Sequence, residues 1–132
     1  MEMIIDFPGG SRVDAHFNGF TVPTGQPPAA SAPTPFDLFL TSIGTCAGIY
    51  VLGFCQQRGL STEGIQLVQR VHSDKVSGMV DEIDIEICVP PTFPEKYYES
   101  LVRSAELCKV KKHIEKPPKF NVTTRVADAH LS

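Results

Sequence analysis

Hydrophobic and polar residues alternate along the first two dozen positions, give way to a long apolar run, and then alternate again. Ile4 to Phe7 reads as a first strand, closed by the turn signal Pro8-Gly9-Gly10. Arg12 to Phe17 alternates cleanly, with Val13, Ala15 and Phe17 on one face and Arg12, Asp14 and His16 on the other. Asn18-Gly19 is a hairpin signal, because both residues tolerate positive φ, and it leads into Phe20-Thr21-Val22. Gly25 to Thr34 carries Pro27, Pro28 and Pro33 among small residues and reads as an extended loop.

The apolar run that follows has a helix start written into it. Thr34 can cap, Pro35 suits the first helical position, and Asp37 falls three residues after the cap. The pattern predicts a helix from Pro35 to Arg58, with Gly59 as a left-handed stop. At 1.5 Å per residue such a helix spans about 36 Å, more than the roughly 30 Å width of a compact domain of this size. It is apolar nearly all round, which predicts an obligate dimer that buries it between subunits. From Leu38 to Phe54 the helix carries no charge, near the lower limit of about 17 residues for a membrane span. Thr41, Ser42, Thr45 and three glycines, together with strand-like segments on both sides, favour a buried core helix instead.

Ile65 to His72 and Val80 to Val89 read as two strands joined near Ser77-Gly78, with Ile83, Ile85, Ile87 and Val89 inward and Glu82, Asp84 and Glu86 outward. Pro94 to Leu107 is an amphipathic helix, with Tyr97, Leu101 and Ala105 on one stripe. A short helix from Cys108 to Lys116 stops at Pro117-Pro118, and Phe120, Val122, Thr124 and Val126 alternate as a last strand. Three strands, a long helix, two strands, helices and a strand make an α+β fold, mostly antiparallel, in one domain over residues 1–132.

The chain's 132 residues can bury a core without disulfides or a structural metal. A net charge of −3 argues against a strongly basic nucleic-acid binder. The start, Met1-Glu2-Met3-Ile4-Ile5-Asp6, has neither a basic region nor a long apolar one, so a cytoplasmic, reducing compartment is expected. In that setting the four cysteines point to chemistry more than to staples.

Cys46 lies within Gly44-Thr45-Cys46-Ala47-Gly48, whose small residues leave room for a substrate or another chain beside the sulfur; the same pattern suits an inert cysteine in a tightly packed helix. Cys55 lies nine residues on, about 180° around the helix, so the two cannot bond within it. Cys88 falls in the outward register of its strand, and both it and Cys55 read as bystanders. Cys108 shares the buried stripe of Leu101 and Ala105 and is followed by Lys109, Lys111, Lys112, His113, Lys116 and Lys119; nearby cations favour a thiolate, although a basic run is also an ordinary solvated face. No CxxC, HxxxH, GxSxG, P-loop or GxGxxG motif is present, which leaves zinc, acyl-transfer and nucleotide readings without support.

Ala32-Pro33-Thr34-Pro35-Phe36-Asp37-Leu38-Phe39-Leu40, then Ile43-Gly44-Thr45-Cys46, and later Ala105-Glu106-Leu107-Cys108-Lys109-Val110, resemble the osmotically inducible protein C and organic hydroperoxide resistance (OsmC/Ohr) family. The resemblance covers nearly the whole chain and implies a thiol-dependent peroxidase, an intertwined homodimer with active sites at the subunit interface. It implies Cys46 as the peroxidatic thiolate, oxidised to a sulfenic acid, and Cys108 as the partner that condenses with it to a disulfide. An external dithiol, a lipoyl group in related members, would reset the pair, with no metal, haem or flavin. An apolar pocket along the central helix would favour organic over hydrogen peroxide. Family peroxidases use an N-terminal hairpin arginine to stabilise the thiolate and polarise the peroxide, and Arg12 matches by position. Their helix-opening glutamate has Phe36 in its place, with the carboxylate one residue later at Asp37, which reads as a first-turn cap. That departure leaves open a non-peroxidatic module that binds a small apolar ligand or senses electrophiles through Cys46. The basic run offers a weaker nucleic-acid reading, with no interleaved aromatics before Phe120.

Overall fold

The long helix, α1 (Pro35–Gln57), organises everything that packs in this computed structural model, which describes residues 1–127. Its start is fixed by a complete capping box: the Asp37 N–H donates to Thr34 Oγ1 at 3.1 Å, and the Thr34 N–H donates to Asp37 Oδ2 at 3.0 Å. It ends at Arg58, and Gly59 follows with φ +65°, the left-handed conformation that glycine adopts without strain. Its buried residues, Ile43, Ala47, Val51, Phe54 and Cys55, form one stripe at helical spacing.

That stripe meets β4 (Gln66–Ser73), β5 (Val80–Cys88) and α2 (Tyr98–Ala105). The antiparallel β4–β5 pair has Leu67 opposite Ile87, Gln69 opposite Ile85 and Val71 opposite Ile83, so one face of the ribbon is apolar except at Gln69. Gln69 turns that exception into a tie: its amide donates to the Leu40 carbonyl at 3.0 Å, and its other amide atom, Oε1, lies where a Cβ on Gly44 would come within 2.5 Å. The core proper is Val51, Phe54, Cys55, Phe93 and Leu101, with Leu60, Ile65, Tyr97 and Ala105 packed around it. Full burial of a side chain such as Leu101 contributes about 1.5–3 kcal/mol. Tyr97 stands edge-on to Phe54, and Arg58 stacks its guanidinium 3.7 Å above the Phe54 ring.

The helix predicted from Pro94 to Leu107 opens with a single 3-10 turn at Glu95–Tyr97 before α2, and the short helix predicted from Cys108 to Lys116 stands as α3 (Lys109–Glu115). β1 (Ile4–Gly9), β2 (Arg12–Phe17) and β3 (Phe20–Thr24) form an antiparallel sheet in chain order, with the hairpin turn at Asn18 and Gly19 at positive φ. This sheet barely touches the rest of the chain, and Ile4, Ile5, Phe7 and Phe20 remain exposed on it. The sequence also predicts a last strand around Phe120 to Val126. The structure corrects this: the segment has no strand partner, and Phe120, Val122 and Val126 are all at least 80% exposed. An alternating segment becomes a strand only where an edge accepts its backbone hydrogen bonds, and among the described residues no such edge lies beside it. The α+β class, the antiparallel pairing and the central helix stand as the pattern predicts.

Candidate active site: a thiol pair where α1 meets α3

Cys46 lies midway along α1 and Cys108 at the junction between α2 and α3, 62 positions apart in sequence, yet the fold brings the two thiols close enough that each shifts the other's acidity. Both are free thiols. Helix phase turns Cys46 away from the Cys55 stripe and toward α3. The turn after α2 then delivers Cys108 onto the first residues of α3, where it takes the N-cap position. Cys108 Sγ accepts from the Lys111 N–H at 3.4 Å and faces the Ile43 carbonyl at 4.0 Å; only 3% of the residue is exposed.

The two sulfurs have opposite electrostatics. Partial burial pushes the Cys46 thiol up. The Val110 N–H, the Cys108 thiol, the Lys109 N–H and the Lys109 ammonium outweigh that burial, and the net shift is downward. Burial pushes the Cys108 thiol up; the Lys111 N–H opposes it, and the neighbouring Cys46 adds to the rise, leaving a net upward shift. One sulfur therefore favours the nucleophilic thiolate and the other the protonated thiol.

Cys46 lines an open, mostly apolar groove of about 680 Å³ with Phe39, Lys109, Val110, His113 and Phe120. Cys108 abuts a second pocket of about 380 Å³, walled by Ile43, Ile83, Ile85, Val102 and Ile114. α3 separates the two spaces. Reading the basic run after Cys108 as cations near a thiol finds Lys109 but gives His113 no role; its i+4 spacing from Lys109 was the available signal.

Arg12 is not brought to the pair within the chain. It stays on β2, where Nε and an Nη donate to the two Asp14 oxygens at 3.1 and 2.9 Å, neutralising a buried carboxylate. Asp37 serves as the α1 cap. Phe36 stacks on Phe39, with ring centroids 5.6 Å apart, and Phe39 lines the Cys46 groove. Cys55 is fully buried in the core, and Cys88 lies near Glu86 on the ribbon's outer face. Among the described residues, the donor set able to converge on a cation is His72, Glu82 and Asp84, exposed on that outer face and already joined as an ion-pair cluster, with His72 Nε2 2.9 Å from Asp84.

A sequence model of the OsmC-like protein family matches residues 28–123, a span that holds α1, α3 and both thiols. The chain belongs to the OsmC-like family. No curated protein matches it by sequence. Solved structures share this fold, three of them as follows. One is described as an osmotic stress induced and detoxification response protein from Psychrobacter arcticus 273-4, at 20% identity and TM-score 0.69, covering 83% of this chain and 85% of that one. An OsmC like protein from Mycoplasma pneumoniae aligns at 10% identity and TM-score 0.68, over 88% of this chain and 87% of the other. A hypothetical protein from Aquifex aeolicus VF5 aligns at 16% identity and TM-score 0.64, also over 88% and 87%. The OsmC-like match begins after β3, so Arg12 lies outside it.

Proposed function

We propose that this OsmC-like chain is a thiol-dependent peroxidase acting on organic hydroperoxides through Cys46 and Cys108. The observation that carries the reading is the pair of neighbouring thiols, one sulfur shifted toward thiolate and open to an apolar groove, the other buried and shifted toward the protonated form. The Cys46 thiolate attacks a peroxide oxygen; an S–O bond forms, the O–O bond breaks, and the alcohol leaves after protonation. The Cys108 sulfur then displaces hydroxide from the sulfenic acid, forming the Cys46–Cys108 disulfide and water. An external dithiol reduces it by two thiol–disulfide exchanges.

The working unit in this proposal is a homodimer. Ile49 and Leu52 on the outer face of α1, the apolar residues of the N-terminal sheet and the Phe120–Val126 segment are exposed together in one chain, more apolar surface than a soluble monomer ordinarily presents. Pairing two chains would cover it. Purified protein supplied with dihydrolipoamide is expected to consume cumene hydroperoxide continuously, and Cys46→Ser to abolish consumption. Full activity in Cys46→Ser would overturn the mechanism.

A second reading has its own support. The arginine that the family resemblance assigns to the peroxide is tied to Asp14, and Phe36 replaces the acidic partner with an aromatic ring beside the groove. A site so arranged suits a module that holds a small apolar ligand or electrophile at Cys46. Tight ligand binding with an unaccelerated thiol would favour it.

A further inference from the structure

The peroxidase reading, on which this inference rests, assigns no donor to one proton. When a thiolate splits an alkyl hydroperoxide, the leaving alkoxide is a strong base, and protonating it as it departs lowers the barrier. Neither Arg12, held by Asp14, nor Phe36, which has no proton to give, can supply that proton in this chain.

The geometry points to His113 as the general acid for this step. Its ring lines the same groove as the Cys46 sulfur, from the next turn of α3 beyond Lys109 and Val110, whose N–H groups reach that sulfur. Its Nδ1 lies 2.7 Å from the Lys109 carbonyl oxygen. A carbonyl can only accept, so Nδ1 carries a proton and donates, and the exchangeable site is Nε2. The bond also holds the ring against the helix.

The step balances without another reagent. Cys46 enters as the thiolate favoured by Lys109 and the backbone N–H groups, and His113 Nε2 takes its proton from solvent, giving an imidazolium. The thiolate attacks the hydroperoxide; the S–O bond forms and the O–O bond breaks. The alkoxide receives the Nε2 proton and leaves as the alcohol. Sulfur is oxidised to Cys46–SOH, the peroxide is reduced, and His113 is neutral again. Of the charged and titratable groups, Cys46 from α1 and Lys109 from α3 line the groove with His113, and Lys112, Glu115 and Lys116 neighbour it in sequence on or beside α3.

The test compares full-length wild type with His113→Gln, reduced, in single-turnover reactions of Cys46 with three reagents. Cumene hydroperoxide expels an alkoxide and needs the acid. Peracetic acid expels a stable carboxylate and does not. Iodoacetamide reports thiolate content and an intact fold. His113→Gln is expected to slow the cumene hydroperoxide reaction on the order of 100-fold while the other two stay within about threefold. Equal losses with all three reagents would overturn the assignment, since His113 would then act on the thiolate or the packing; so would no loss at all. A wild type that iodoacetamide alkylates but cumene hydroperoxide does not oxidise would overturn the peroxidase reading itself, and this inference with it.

Discussion

Cys46 and Cys55 stand nine residues apart on α1, yet the two faces of that helix give them opposite surroundings. Cys55 faces Val51, Phe54, Phe93 and Leu101 and has no exposed surface; burial raises its thiol above the ordinary value, with Arg58 opposing weakly. Cys46 faces the first turn of α3, where two backbone N–H groups, a lysine and a second thiol reverse the effect of its burial. Burial alone thus makes a cysteine structural. What makes one reactive is burial beside oriented donors, and only the Cys46 face supplies them.

The comparison fails if the same substitution acts alike at both positions. Cys46→Ser is expected to lower peroxide turnover by at least about 10³-fold, the scale of losing a nucleophile, with little change in stability. Cys55→Ser is expected to keep turnover and lose about 1–3 kcal/mol of stability, because it puts a hydroxyl in an apolar site. A hydroperoxide assay and chemical denaturation on both variants read the two effects. The helix has a third, uncovered surface at Ile49 and Leu52. Leu52→Asp is expected to convert the proposed dimer to monomer in light scattering, and an unchanged dimer would move the interface elsewhere.

Acidity separates the pair further. With Cys46 shifted down and Cys108 up, the Cys46 thiolate persists to lower pH, and its alkylation by iodoacetamide should begin at a pH below that of Cys108. Peptide mapping after brief labelling checks the order, and simultaneous labelling would remove the asymmetry. The smallest effect is expected at the cap. Thr34→Ala should cost about 1 kcal/mol in denaturation, with no change in the thiols' order of reaction.

Local chemistry was the most legible part of the sequence. The Thr34 cap, the Gly59 stop and the Asn18-Gly19 turn depend on residues a few positions apart, and all three stand where the pattern placed them. The phase that divides Cys46 from Cys55 follows from helix periodicity alone. The Phe120–Val126 strand was misread because alternation supplies a strand's faces but not its partner edge. Arg12 and Asp14 share a face of β2, so their ion pair was readable from period two. The groove that His113 and Cys46 share was not: it depends on how α3 lies against α1, a relation that no spacing encodes.

The most direct test of the account is intact-mass and peptide-mapping spectrometry after one equivalent of cumene hydroperoxide is added to the reduced full chain under denaturant-free conditions. The account predicts a loss of two hydrogens and one disulfide, joining the Cys46 and Cys108 peptides, with Cys55 and Cys88 still reduced. A stable sulfenic acid on Cys46, a disulfide involving Cys55 or Cys88, or no oxidation would contradict it.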